Sequence, residues 1–294
     1  MAISIPTNEE SDVMWRNALY YNSADTILPL HYLIRVVFRT DPPLLMSENV
    51  ITIHIIFGTQ HINFHLSNSW IIRSMDLTQL CSKKAYGFNS TNYEKENVVM
   101  LDFYEVLLPG VYLLRMDLIN NNFTTNSSEI SFIKEGEDMW LMATDIQTKK
   151  QQIFPYWNNP ELRISFDISI NHHRQHTVLS NMPIQVSKPE PNNMTSTYFH
   201  TTPLISMDSV ALVVTSYHRI NNVTNNKTVS MLYRPQLKSQ MEFSLHIIEN
   251  ITRYLQNNSI CEKTYVLFEK KVDHVAILDL KDQVKQKLGF VFYR

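Results

Sequence analysis

The sequence predicts a mainly β protein, an antiparallel sandwich or folded sheet, followed by a shorter segment of mixed character. Two observations predict the β part. Apolar and β-branched residues alternate in short runs. The spacers between runs, such as "INNNFTTNSS", "SKPEPNNMTST" and "INNVTNNKT", are rich in Asn, Ser, Thr and Pro and leave no room for crossover helices. A third observation predicts the change: after Tyr233 the apolar period lengthens from two residues to three or four.

In chain order, residues 1–24 read as a loosely ordered lead-in. Strands are predicted at "LHYLIRVVFR" (30–39), "VITIHIIF" (50–57), "HINFHLS" (61–67), "VVMLDFYE" (98–105), "VYLLRMDL" (111–118), "RISFDISI" (163–170) and "VALVVTSY" (210–217). Tyr104, Tyr112 and Phe166, aromatic residues within these runs, are assigned to the core. In "SQMEFSLHIIENITRYLQN" the residues Met241, Leu245, Ile248, Ile251 and Leu255 form one helical stripe. The expected organisation is a lead-in over 1–24, a β domain over 25–234 and a second unit starting at 235. The roughly 60 residues of the second unit are few for an independent core. The stripe is therefore expected to leave an exposed apolar patch on the helix.

Composition excludes several functions. Net charge is −2, so nothing steers the chain to nucleic acid. Its five glycines lie far apart, against about 7% in average proteins, which excludes a phosphate-cradling loop and a dinucleotide turn. Asparagine clusters are expected to take over the turns that need positive φ. Cys81 and Cys261 are read as free thiols, with one disulfide left open. The first 21 residues lack the basic and apolar regions of a signal peptide, and no apolar run is long enough to span a membrane. The default expectation is a cytoplasmic chain.

Most chemistry-bearing clusters have a plainer reading. "NHHRQH", with His172, His173 and His176, is expected to be a solvated hairpin turn, because the histidines would share a face only on a helix. His61 and His65 alternate with Asn63 on a polar strand face, and "EGED" (135–138) reads as a charged turn. No catalytic triad can be assigned. Eight N-x-S/T sequons occur, at Asn89, Asn122, Asn126, Asn193, Asn222, Asn226, Asn250 and Asn257, where roughly four would arise by chance at this Asn and Ser/Thr content. They point to secreted ancestry and would carry glycans only in a secreted chain.

Seven stretches fall in the order of one family. "LPLHYLIRVVF" (28–38), "INFHLSNSWI" (62–71), "LLPGVYLLRMDL" (107–118), "IFPYWNNPELRISFDISI" (153–170), "LSNMP" (179–183), "FHTTPLIS" (199–206) and "KVDHVAILDL" (271–280) resemble the motifs of the aminopeptidase N-like zinc metallopeptidases. The resemblance implies a saddle-like β-sandwich domain, then the start of an α+β, thermolysin-like catalytic domain. It also implies extracellular or membrane-anchored ancestry.

In that family K-x-D-x-V-A-x-P-D-F leads into G-A-M-E-N-W-G. Counting back from Tyr293-Arg294, Gly289 takes the second glycine, Gln286 the glutamate and Lys287 the asparagine. The family's other amine-binding glutamate, from its Q-x-E segment, falls on Ile146, and the glutamine on Thr144. One anchor for a free α-ammonium has thus become a neutral amide and the other an alkyl group. Each charged hydrogen bond contributes about 1.5–3 kcal/mol, so losing two costs on the order of 10²–10⁴ in affinity if they are additive. Lys287 is expected to add an opposing charge near that ammonium. None of the eleven histidines lies in an H-E-x-x-H, the family's zinc-binding motif. The expectation is a non-catalytic relative with no cofactor of its own, binding a peptide or protein through the saddle-like sheet. The alternative is the front part of a longer zinc aminopeptidase.

Overall fold

The computed structural model describes residues 26–40, 43–93, 97–120, 130–135, 139–144, 153–224, 227–233, 238–257, 271–277 and 283–293. The chain begins with β1 (Ile27–Thr40), β2 (Pro43–Ile55), β3 (Thr59–His65), β4 (Ile71–Gln79), β5 (Ala85–Tyr86), β6 (Phe88–Tyr93), β7 (Val98–Leu107) and β8 (Gly110–Asn120). It continues with β9 (Ile130–Glu135), β10 (Met139–Thr144), β11 (Ser165–His173), β12 (Thr177–Ser180), β13 (Ile184–Glu190), β14 (Met194–Phe199) and β15 (Leu212–Thr215), with a 3₁₀ turn at Met207–Ser209. The last part holds β16 (His218–Thr224), β17 (Lys227–Tyr233), helix α1 (Lys238–Asn257), β18 (Lys271–Ala276), β19 (Val284–Lys287) and β20 (Phe290–Tyr293). All seven predicted strands and the predicted helix form, and the fold is mainly β.

Four sheets result: β13-β14-β11-β1-β2-β8-β4-β5, β3-β7-β6, β12-β15-β10-β9 and β16-β17-β18-β20-β19. Pairing is antiparallel except at β1–β11, β17–β18 and β18–β20. Alternation explains the largest sheet. Tyr32, Ile34, Val36 and Phe38 on β1, and Tyr112, Leu114, Met116 and Leu118 on β8, all point inward. They share a core with Ile62 and Phe64 of β3 and with Val99, Leu101 and Phe103 of β7, so the largest sheet and the three-stranded sheet form the sandwich. Each such side chain contributes about 1.5–3 kcal/mol by leaving water.

The four-stranded sheet lies between two cores. On β15, Leu212 and Val214 join the sandwich core, while Val213 packs with Leu232, Val275, Phe290 and Phe292 of the five-stranded sheet. On the far face of that last sheet, Val229 and Met231 pack with Leu245, Met241 and Ile248 of α1.

Two expectations change here. Tyr104 is 67% exposed rather than in the core, because Val99, Leu101 and Phe103 take the inward positions of β7 and leave Tyr104 on the outer face. "NHHRQH" turns between sheets rather than within a hairpin: β11 pairs with β14, and β12 with β15. His172 is buried, continuing the inward row of Phe166, Ile168 and Ile170, with Nδ1 2.9 Å from the His173 carbonyl and Nε2 2.9 Å from Thr197 Oγ1. β17 and β18, which lie on either side of the expected boundary at 234/235, pair in one sheet that starts at His218.

Candidate functional site

The motif that aligns with the family's amine-binding segment forms β19, a tight turn at Leu288-Gly289, and β20. Val284, Lys285, Gln286 and Lys287 pair with Tyr293, Phe292, Val291 and Phe290. Gly289 has φ +73°, which L side chains rarely adopt, and a Cβ there would fall well inside contact distance of the Asn181 carbonyl oxygen. Among the described strands β19 is the edge of its sheet, so one of its two backbone edges faces away from β20.

Alternation sends neighbouring side chains of β19 to opposite faces. Gln286 is exposed. Lys287 is buried, and its Nζ donates to the carbonyls of Asp208 at 2.8 Å and Val210 at 3.1 Å. The charge expected to repel a substrate ammonium is instead turned into the protein, where it caps the 3₁₀ turn. Thr144 is the last residue of β10, and only its backbone placement is described. Ile146 lies outside the described residues.

Residues that site reasoning passed over hold this corner in place. Asn181 of "LSNMP" is buried; its Nδ2 donates to the carbonyls of Ser209 at 2.8 Å and Leu288 at 2.7 Å, and its Oδ1 accepts from Ala211 N–H at 2.8 Å. One amide thus ties the end of β12, the 3₁₀ turn and the β19–β20 turn together. Beneath β20, fully buried Asp273 accepts from Lys271 Nζ and Ser230 Oγ, and its Oδ1 lies 3.2 Å from Arg219 Nη2. Burial lowers the Lys271 pKa although Asp273 opposes the shift. Lys271 Nζ also sits 4.5 Å from the Phe290 ring centroid. His274 stacks on Tyr293 and places Nδ1 2.9 Å from its hydroxyl, and burial pulls its pKa down to about 4. The sequence signal for these groups was present, since "KVDHVA" is polar at positions where a buried strand is normally apolar.

Chemically, the corner offers a neutral amide on a strand that is outermost among the described strands of its sheet. Among the described residues no three His, Cys, Asp or Glu side chains gather to hold a metal ion. The H-E-x-x-H set is also absent from the 294 residues, so the described groups do not fit the family's zinc. Among the described residues no helix is long and apolar enough to cross a membrane.

A sequence profile of the Peptidase M1 N-terminal domain matches residues 28–207. The chain is 23% identical to human (Homo sapiens) glutamyl aminopeptidase over 98% of its own length and 30% of that protein. It is 25% identical to the Sus scrofa glutamyl aminopeptidase over 98% of itself and 31% of that protein. A membrane alanyl aminopeptidase of Manduca sexta is 28% identical over 53% of this chain and 16% of that protein. The chain therefore spans about 30% of the length of these glutamyl aminopeptidases. The β-sandwich, the order of its motifs and the profile match together place this chain in the M1 peptidase family, whose N-terminal domain it carries.

Proposed function

We propose that this chain is a non-catalytic relative of the zinc aminopeptidases that binds an extended peptide or protein segment along β19. The carrying observation is that edge strand β19 presents a neutral Gln286 where the family has its glutamate. An edge strand binds extended chains through main-chain hydrogen bonds, which do not depend on a free N-terminus. The neutral amide of Gln286 adds hydrogen bonding without the attraction a carboxylate would give an α-ammonium. The test is fluorescence titration of paired peptides with free and acetylated N-termini. Affinities within about 3-fold of each other, a difference under about 0.7 kcal/mol, are expected. A preference above about 100-fold for the free amine would contradict the reading.

A second reading is favoured by α1. Phe243, Ile247, Ile251 and Tyr254, spaced to share one face, are exposed on the side away from the sheet. On this reading the chain is the front part of a longer zinc aminopeptidase that removes N-terminal residues from peptides, and later residues cover that face. Transcript reads running past Arg294 into H-E-x-x-H would establish it; a stop codon directly after Arg294 would remove it.

A further inference from the structure

Tyr104 has an unusual setting for an exposed aromatic. One face of its ring covers Gly87: a Cβ built there would lie 2.9 Å from Tyr104 Cδ2 and 3.1 Å from Cε2. The residue as a whole is 67% exposed, so the other face is open to solvent. Its hydroxyl donates to Asn89 Oδ1 at 2.9 Å. Asn89 opens the sequon Asn89-Ser90-Thr91 on β6 and is itself exposed. Alternation puts Gly87, Asn89 and Thr91 on one face, with Asp102 directly across from Asn89 and paired to His61 at 2.6 Å. With Oδ1 held by the tyrosine, Asn89 Nδ2 is the free end of the amide. Among the described strands β6 pairs with β7 alone and is the edge of its sheet.

The other described sequons lack this arrangement. Asn193 is exposed in a left-handed turn (φ 57°) between β13 and β14, and Asn250 on α1 lies 3.3 Å from His246 Nε2. Buried Asn49, Asn120 and Asn181 fall in no sequon. Asn122, Asn126 and Asn226 lie outside the described residues, and for Asn222 and Asn257 only the backbone is described.

We propose that Asn89 is an N-glycan acceptor whose first N-acetylhexosamine packs on the open face of Tyr104. In the attachment step Asn89 Nδ2 attacks the anomeric carbon of a lipid-diphosphate-linked oligosaccharide. The new C–N bond forms as the C–O bond to the diphosphate breaks. The lipid diphosphate leaves with the electron pair, and the amide proton passes to a carboxylate of the transferring enzyme. Sugar C–H groups then lie against the electron-rich ring face, and the glycan shields the β6 edge from pairing with other chains.

The test is to secrete the full 294-residue chain from eukaryotic cells behind a cleavable leader. The glycans are removed enzymatically in water enriched in heavy oxygen, and the modified asparagines are mapped by mass spectrometry. Heavy aspartate at position 89 is expected. Trimming the glycan off should also lower the melting temperature by about 2–4 °C in the wild type and in Tyr104→Phe, but not in Tyr104→Ala. An unlabelled position 89, whether or not Asn193 is labelled, would overturn the acceptor assignment. Equal melting shifts in wild type and Tyr104→Ala would overturn the packing.

Discussion

Gly289 is constrained from two sides, by its positive φ and by the Asn181 carbonyl against which its backbone packs. Gly289→Ala is expected to destabilise the protein by about 1–3 kcal/mol, read as a lower urea midpoint with an unchanged slope. A loss under about 0.5 kcal/mol, the range of an ordinary surface change, would show that the turn relaxes freely. Lys287 makes the opposite point about charge. Its ammonium sits on the carbonyls of Asp208 and Val210, so Lys287→Met should cost about 1.5–3 kcal/mol of stability. Peptide affinity should not rise in that variant, as it would if the lysine repelled a bound ammonium. Counting back from Tyr293-Arg294 gives both residues a position in the motif. That count does not give the direction of the Lys287 side chain, because its acceptors lie 79 and 77 positions earlier in the chain.

The same lesson recurs along whole strands and along the helix. β11 alternates through Phe166, Ile168 and Ile170, and extending that row by two residues would have placed His172 inside. The polar composition of "NHHRQH" points to solvent, whereas the two-residue period of β11 puts His172 inside. Tyr104 was misplaced the same way: its aromatic character outweighed a position opposite to Phe103 on the pleat. The expected stripe of α1 holds for three of its five residues, and the side chain of a fourth, Leu255, lies outside what is described. Met241, Leu245 and Ile248 face the sheet, while Ile251 is 53% exposed and belongs to the outer face with Phe243, Ile247 and Tyr254. Leu245→Ala should therefore cost about 2–5 kcal/mol in denaturant titrations. Paired Phe243→Ser and Ile251→Ser changes should cost about 0.5 kcal/mol or less each and reduce binding of a hydrophobic dye. Equal costs on the two faces would mean that the outer face is covered in the monomer.

Across the whole molecule, layers stack from the sandwich through the four-stranded sheet to the five-stranded sheet and α1, and a few polar groups tie the layers. Sequence periodicity conveyed the layers' contents but not their order, because the β17–β18 and β18–β20 pairings are parallel contacts between distant segments. Two histidines are expected to make stability sensitive to acid. His274, by burial, and His176, by burial and then by the neighbouring His173 and His172, both have pKa values lowered to about 4. An unfolded histidine titrates near about 6.5. The fold favours the neutral rings, so their contribution is complete above that value and is lost as pH falls through the window down to about 4. Urea midpoints should drop between pH 7 and pH 4, and a His274→Gln, His176→Gln double variant should flatten the drop. An unchanged drop in that variant would assign the acid response to other groups.

The proposed function holds that this member of the M1 family does not hydrolyse aminopeptidase substrates. The most direct measurement is release of product from glutamyl and alanyl amides by the purified 294-residue chain with added zinc, with and without a chelator. The account predicts equal background rates in both samples. Turnover that rises with zinc and disappears on chelation would contradict it.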